Sequence, residues 1–173
     1  MKHTVKLALV ALGLVTLGTA QARAQTTCNS NPCSLNDTVK VTVNTVLRLT
    51  LSQAATPLTS PNEAAYDAGS QLDGGPTVSV KANRSWTVKL SSNAGTWTAS
   101  GAGANAAKAA SDLQWATAVG GPYTGASTSP ATFLSGSGTG NASQAVFYKT
   151  LWSYGSDTPG DYSLVVVYTL SAP

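Results

Sequence analysis

Residues 39–51 read VKVTVNTVLRLTL, with Val39, Val41, Val43, Leu47, Leu49 and Leu51 on one parity and Lys40, Thr42, Asn44, Arg48 and Thr50 on the other. Only Thr45 and Val46 break the alternation. A helix does not hold a period of two over this length, so the segment predicts a half-buried strand, or two in succession. The stretch VSVKANRSWTVKLSS repeats the pattern, placing Val78, Val80, Ala82, Trp86, Val88 and Leu90 in one phase. Its ANRS interruption predicts a bulge or tight turn, and Trp86 is expected in the core. Residues 96–99 and 112–118 predict shorter strands, and QAVFYKTLWSY has high strand propensity on both faces.

Breaks between these runs are rich in Gly, Pro, Ser and Asn. The connection 56–76 carries one predicted surface helix, with Ser60 as N-cap, Pro61 at the first helical position, Glu63 placed for a capping box and Gly69 as the stop. The alanine- and glycine-rich run ASGAGANAAKAAS and the run LSGSGTGNAS predict loops. The chain closes on DTPGDYSLVVVYTLSAP, where Tyr162, Leu164, Val166, Tyr168 and Leu170 fill one face and Val165 and Val167 add apolar bulk to the other. A strand apolar on both faces belongs at the centre of a sheet; failing that, it is an edge awaiting a neighbour. The sum is an all-β chain: an antiparallel immunoglobulin-like β-sandwich of about seven to nine strands with one short surface helix. A closed barrel is the alternative.

The first residues have a different character. Lys2 and Lys6 precede an apolar run from Leu7 to Leu17, and Ala22, Arg23 and Ala24 supply a small-x-small site, which predicts a secretory signal over 1–24 and a mature start at Gln25. The apolar run is too short for a membrane-spanning helix in the mature form. Lys2, Lys6 and Arg23 account for the excess of ten basic over seven acidic residues, so the mature chain is near neutral and nucleic acid is not expected as a partner. An exported chain meets an oxidising compartment, where Cys28 and Cys33 in CNSNPC are expected to pair and pin residues 25–37 ahead of a sandwich domain over 38–173. Metal binding by the two is the weaker reading, because His3, the only histidine, leaves with the signal.

The export signal, the alternating first strand and the closing PGDYSLVVVYTL resemble the small immunoglobulin-like surface proteins of bacteria, pilin-like and spore-coat-U-like subunits among them. The resemblance implies a structural or adhesive role outside the cytoplasm, at the cell surface, in the periplasm or beyond the cell, with self or other envelope proteins as partners. Asp157 to Tyr162 also resembles the tyrosine corner of such sandwiches, with a spacing one residue longer. In pilin-like assemblies an extension of one subunit completes the sheet of the next. Residues 25–37 have no alternating apolar set, so here the donor has to come from 39–51. The competing expectation is that 39–51 pairs within its own sheet. The candidate assembly strands are accordingly Val39, Val41, Val43, Leu47 and Leu49 at one end and Tyr162, Leu164, Val166 and Tyr168 at the other.

Candidate chemistry is sparse. Without histidine the mature chain lacks the usual base of Ser/His/Asp or Cys/His catalysis, and its few acids sit mostly in turn contexts, so no enzyme activity and no cofactor are expected. GSGTGN misses the dinucleotide pattern at Asn141. Asp67 with Asp73, and Asp157 with Asp161, do not form a calcium-loop pattern and read as turn residues. Trp97, Trp152 and Tyr154 are the candidate binding surface, since exposed aromatic rings stack on sugars; a carbohydrate-binding module is the alternative function. Asn36, Asn83 and Asn141 stand in N-x-S/T sequons.

Overall fold

The computed structural model describes residues 27–137 and 140–173, so the predicted signal segment lies outside the described residues. The chain divides after Thr42 into two units. In the first, Cys28 and Cys33 form the expected disulfide, and residues 34–42 carry no strand.

In the second unit the order is β1 (Leu47–Leu51), α1 (Glu63–Asp67), β2 (Ser70–Ala82), β3 (Trp86–Ser92), β4 (Thr98–Ser100), a 3-10 turn at Ala110–Asp112, β5 (Leu113–Ala116), β6 (Thr124–Gly125), β7 (Ala131–Gly136), β8 (Gly140–Leu151), β9 (Asp161–Ser163) and β10 (Val166–Ser171). One sheet runs β1-β2-β8-β5-β6, a second runs β10-β3-β7, and β4 with β9 makes a small ribbon. Every ladder is antiparallel. The all-β expectation is met, with ten strands among the described residues instead of seven to nine; the surplus comes from the very short β4, β6 and β9.

Alternation explains how the layers meet. Val78 and Val80 of β2, Leu113 and Trp115 of β5, and Val146 and Tyr148 of β8 turn to the same interior as Trp86, Val88 and Leu90 of β3 and Phe133 of β7. The intervening residues of β3, Thr87 and Lys89, face outward. Burying these side chains contributes about 1.5–3 kcal/mol each in transfer terms, against the chain entropy that ordering costs. Glycine is required at two crossings. A Cβ on Gly75 would lie 2.8 Å from the Tyr148 ring, and one on Gly136 would lie 2.7 Å from the Trp86 indole.

Several expectations need correction. ANRS is the tight turn of the two alternatives and not a bulge, but it makes no hairpin: β2 and β3 belong to different sheets, and the segment carries the chain from one layer to the other. Both runs face the shared interior, which is why their hydrophobic phase is continuous. Asn83 fixes the corner by accepting from Val46 N at 2.8 Å and donating to Asn44 O at 2.7 Å. The helix is capped by Asn62, whose side chain accepts from Ala65 N, and not by Ser60; Gly69 ends it at φ +67°. Most consequentially, residues 39–45 have no place in the ladder with β2, which begins at Leu47 opposite Ala82 with Asn83 N donating to Val46 O just beyond it. The closing segment is not a central strand either. It breaks into β9 and β10, and β10 is bonded to β3 alone.

Candidate functional site: an open edge beside a buried lysine

β1 and β10 lie beside each other at the margins of the two sheets, each with a ladder on one side only. Val166, Tyr168 and Leu170 of β10 turn inward and pack on the core, while Val165 and Val167 remain exposed. Leu51 of β1 and Val166 of β10 border the same hollow. There a cleft of ≈ 520 Å³ opens, walled by Leu51, Leu58, Trp97, Trp152, Leu164 and Tyr168. The indole Nε1 groups of Trp97 and Trp152 are both buried without a hydrogen-bond partner. An unmatched buried donor costs about 1–3 kcal/mol.

At the cleft floor the hydroxyls of Tyr148 and Tyr168 hydrogen-bond at 2.8 Å. Burial pushes both above the ordinary tyrosine value, and for Tyr168 its neighbour Tyr148 adds to the effect. Phe133 closes edge-on against both Trp115 and Tyr168. The floor is therefore a fixed aromatic surface.

Against the cleft sits a polar centre. Lys108 is 1% exposed. Its Nζ donates to Asp157 Oδ1 at 2.8 Å and to Leu151 O at 2.8 Å, approaches Asp112 Oδ2 at 3.6 Å, and lies 4.3 Å from the centre of the Trp152 ring. Asp157 accepts a further bond from Ser153 N through Oδ2, and its carbonyl accepts from the Tyr66 hydroxyl. Tyr162 donates to Thr158 O at 2.6 Å and accepts from Asn105 N at 2.9 Å, a bond back to nearby upstream backbone of the kind that defines a tyrosine corner. Thr158 in turn donates to Gly103 O. These bonds tie the loop before β5 to the loop before β9.

Of the sequence-predicted site residues, Leu47 and Leu49 lie in β1, Tyr162 in β9, and Val166 and Tyr168 in β10, with Leu164 between the last two strands. Val39, Val41 and Val43 lie outside any strand at 86%, 85% and 77% exposure. The proposed aromatic platform does not share one exposed face: Trp97 is 6% exposed and Trp152 partly buried, while Tyr154 is 65% exposed and stacks on Tyr66 at 4.8 Å. Tyr66, Lys108 and Asp112 escaped the sequence reading. Lys108 had one available signal, as the only charged residue in the alanine-rich run before Asp112.

Among the described residues no helix is long and apolar enough to cross a membrane. No family model and no curated protein matches this chain. Its similarity among solved structures includes a chain from a chaperone–usher pilus structure described as revealing the molecular basis of rod uncoiling, at 14% identity and a TM-score of 0.42, covering 81% of this chain and 98% of that one.

Proposed function

We propose that this protein is a non-catalytic structural subunit of an extracytoplasmic assembly, and that it joins copies of itself by strand addition. The observation that carries this reading is the coexistence of two unmatched parts: an open β1/β10 margin and the unpaired alternating residues Val39, Val41 and Val43. An exposed edge is a template for another strand, and soluble monomers normally blunt it with charge, proline or a cover. β10 carries neither charge nor proline; its residues are Val166, Val167, Tyr168, Thr169, Leu170 and Ser171.

In this reading residues 39–43 of one copy lie in the gap of the next. Backbone groups pair with the free edge of β10, and the valines cover the apolar wall of the cleft. The Cys28–Cys33 disulfide supports placement outside the cytoplasm. Sedimentation and electron microscopy of the purified protein over a wide concentration range test it. The expected result is concentration-dependent oligomers or fibres, lost when Val39, Val41 and Val43 are all changed to Asp while circular dichroism stays unchanged. A wild-type protein that stays monomeric throughout contradicts the reading.

A further inference from the structure

Lys108 is the largest fully buried side chain among the described residues. A buried ammonium facing a buried carboxylate is costly to desolvate, and the low-dielectric surroundings favour any chemistry that removes both charges. The surroundings here also meet the geometric needs of one such reaction. Lys108 Nζ touches Asp157 Oδ1 at 2.8 Å, close enough to the carboxyl carbon for attack once the nitrogen sheds a proton. Asp157 Oδ2, the oxygen turned from the amine, is held by Ser153 N–H at 2.8 Å, a donor placed where negative charge gathers in a tetrahedral intermediate. Leu151 O accepts from the same Nζ and orients it. A second carboxylate, Asp112 Oδ2, lies 3.6 Å from Nζ with its side chain 31% exposed, able to take a proton and open to water.

We propose that Lys108 and Asp157 become joined by an intramolecular isopeptide bond, with Asp112 as the proton carrier. Asp112 takes a proton from the ammonium, and the freed amine attacks Cγ of Asp157. The Nζ–Cγ bond forms, the Cγ–Oδ1 bond breaks, and Oδ1 departs as water. That water carries two of the three ammonium protons, one of them delivered by Asp112, and the third remains as the amide N–H. Charge cancels within the pair, nothing is oxidised or reduced, and no co-reactant is consumed. Oδ2 becomes the amide oxygen and keeps its bond from Ser153. The product covalently ties the loop before β5 to the loop before β9, across 49 positions of sequence. It does not depend on assembly.

Intact-mass spectrometry of the purified, denatured protein is the test. The expected mass lies below the sequence mass by one water, beyond the two hydrogens of the disulfide. Tryptic digestion should leave the bond after Lys108 uncut and yield one branched peptide containing Lys108 and Asp157. The Asp157→Ala protein should show no loss of water whether or not it folds. Asp112→Ala, changed at a part-exposed position, should remain folded by circular dichroism and also keep the water. Wild-type protein at its full mass, releasing separate Lys108 and Asp157 peptides, overturns the bond. Asp112→Ala protein that still loses water overturns the role assigned to Asp112.

Discussion

A lysine and an aspartate buried side by side lose more to desolvation than their attraction returns unless their donors and acceptors are matched. Around Lys108 and Asp157 they are: Nζ donates to Leu151 O and Asp157 Oδ1 and lies near Asp112, and Ser153 N donates to Asp157 Oδ2. Asp157→Ala removes the proposed amide and leaves Lys108 as an unpaired cation in the interior, and denaturant unfolding should show a loss of at least about 3–5 kcal/mol. A loss below about 1 kcal/mol would mean that the pair is solvated. Tyr148 and Tyr168 form the second buried polar pair. Burial raises both above the ordinary value of 10.0, so the folded state keeps protons that the unfolded chain releases in alkali. Their contribution to stability is complete below about pH 10 and falls as pH rises beyond it, by up to about 1.4 kcal/mol per pH unit for each group. A tyrosinate absorbance titration followed alongside circular dichroism should show these two ionising only as the strand signal is lost. Ionisation of all six tyrosines in a protein that stays folded would contradict this.

At the scale of elements, close packing across the sandwich depends on glycine as much as on bulk. Gly136 of β7 sits against the Trp86 ring, where a methyl group would stand 2.7 Å from the indole. Gly136→Ala should cost about 1–3 kcal/mol through displacement of Trp86, visible as a lowered thermal midpoint with reduced near-ultraviolet tryptophan signal. The same crossings limit what the chain discloses in advance. The runs that became β1, β3 and the later part of β2 were legible because one face of each is buried. The opening half of β2, SQLDGG, was not, since Gly75 contributes to the core by letting Tyr148 lie over it. β7, with only Phe133 fully buried, shows no alternation to read. For residues 39–51 a strand forms only over Leu47–Leu51; residues 39–46 carry the same alternation without one, because alternation alone does not say which partner, if any, a segment meets. Lys108 was hidden for a different reason: its principal partner lies far along the sequence, and local composition marks its surroundings only as a loop.

Taken whole, the molecule has few charges to keep copies apart. Once the predicted signal segment is removed, seven basic and seven acidic residues remain. Association through backbone pairing and valine burial should then depend little on ionic strength. Particle mass at fixed protein concentration should be nearly the same at low salt and in molar salt. Dissociation as salt rises would instead point to an interface of opposite charges.

The central claim is that the free margin of β10 and the exposed valines of residues 39–43 are two halves of one intermolecular contact. Amide hydrogen exchange, measured residue by residue in dilute and in concentrated protein, tests it most directly. The account predicts slow exchange appearing together in residues 39–43 and 166–171 as particle mass grows, with β8 unchanged. If particle mass grows while those two segments exchange as fast as in the dilute protein, the copies meet through another surface and the account is wrong.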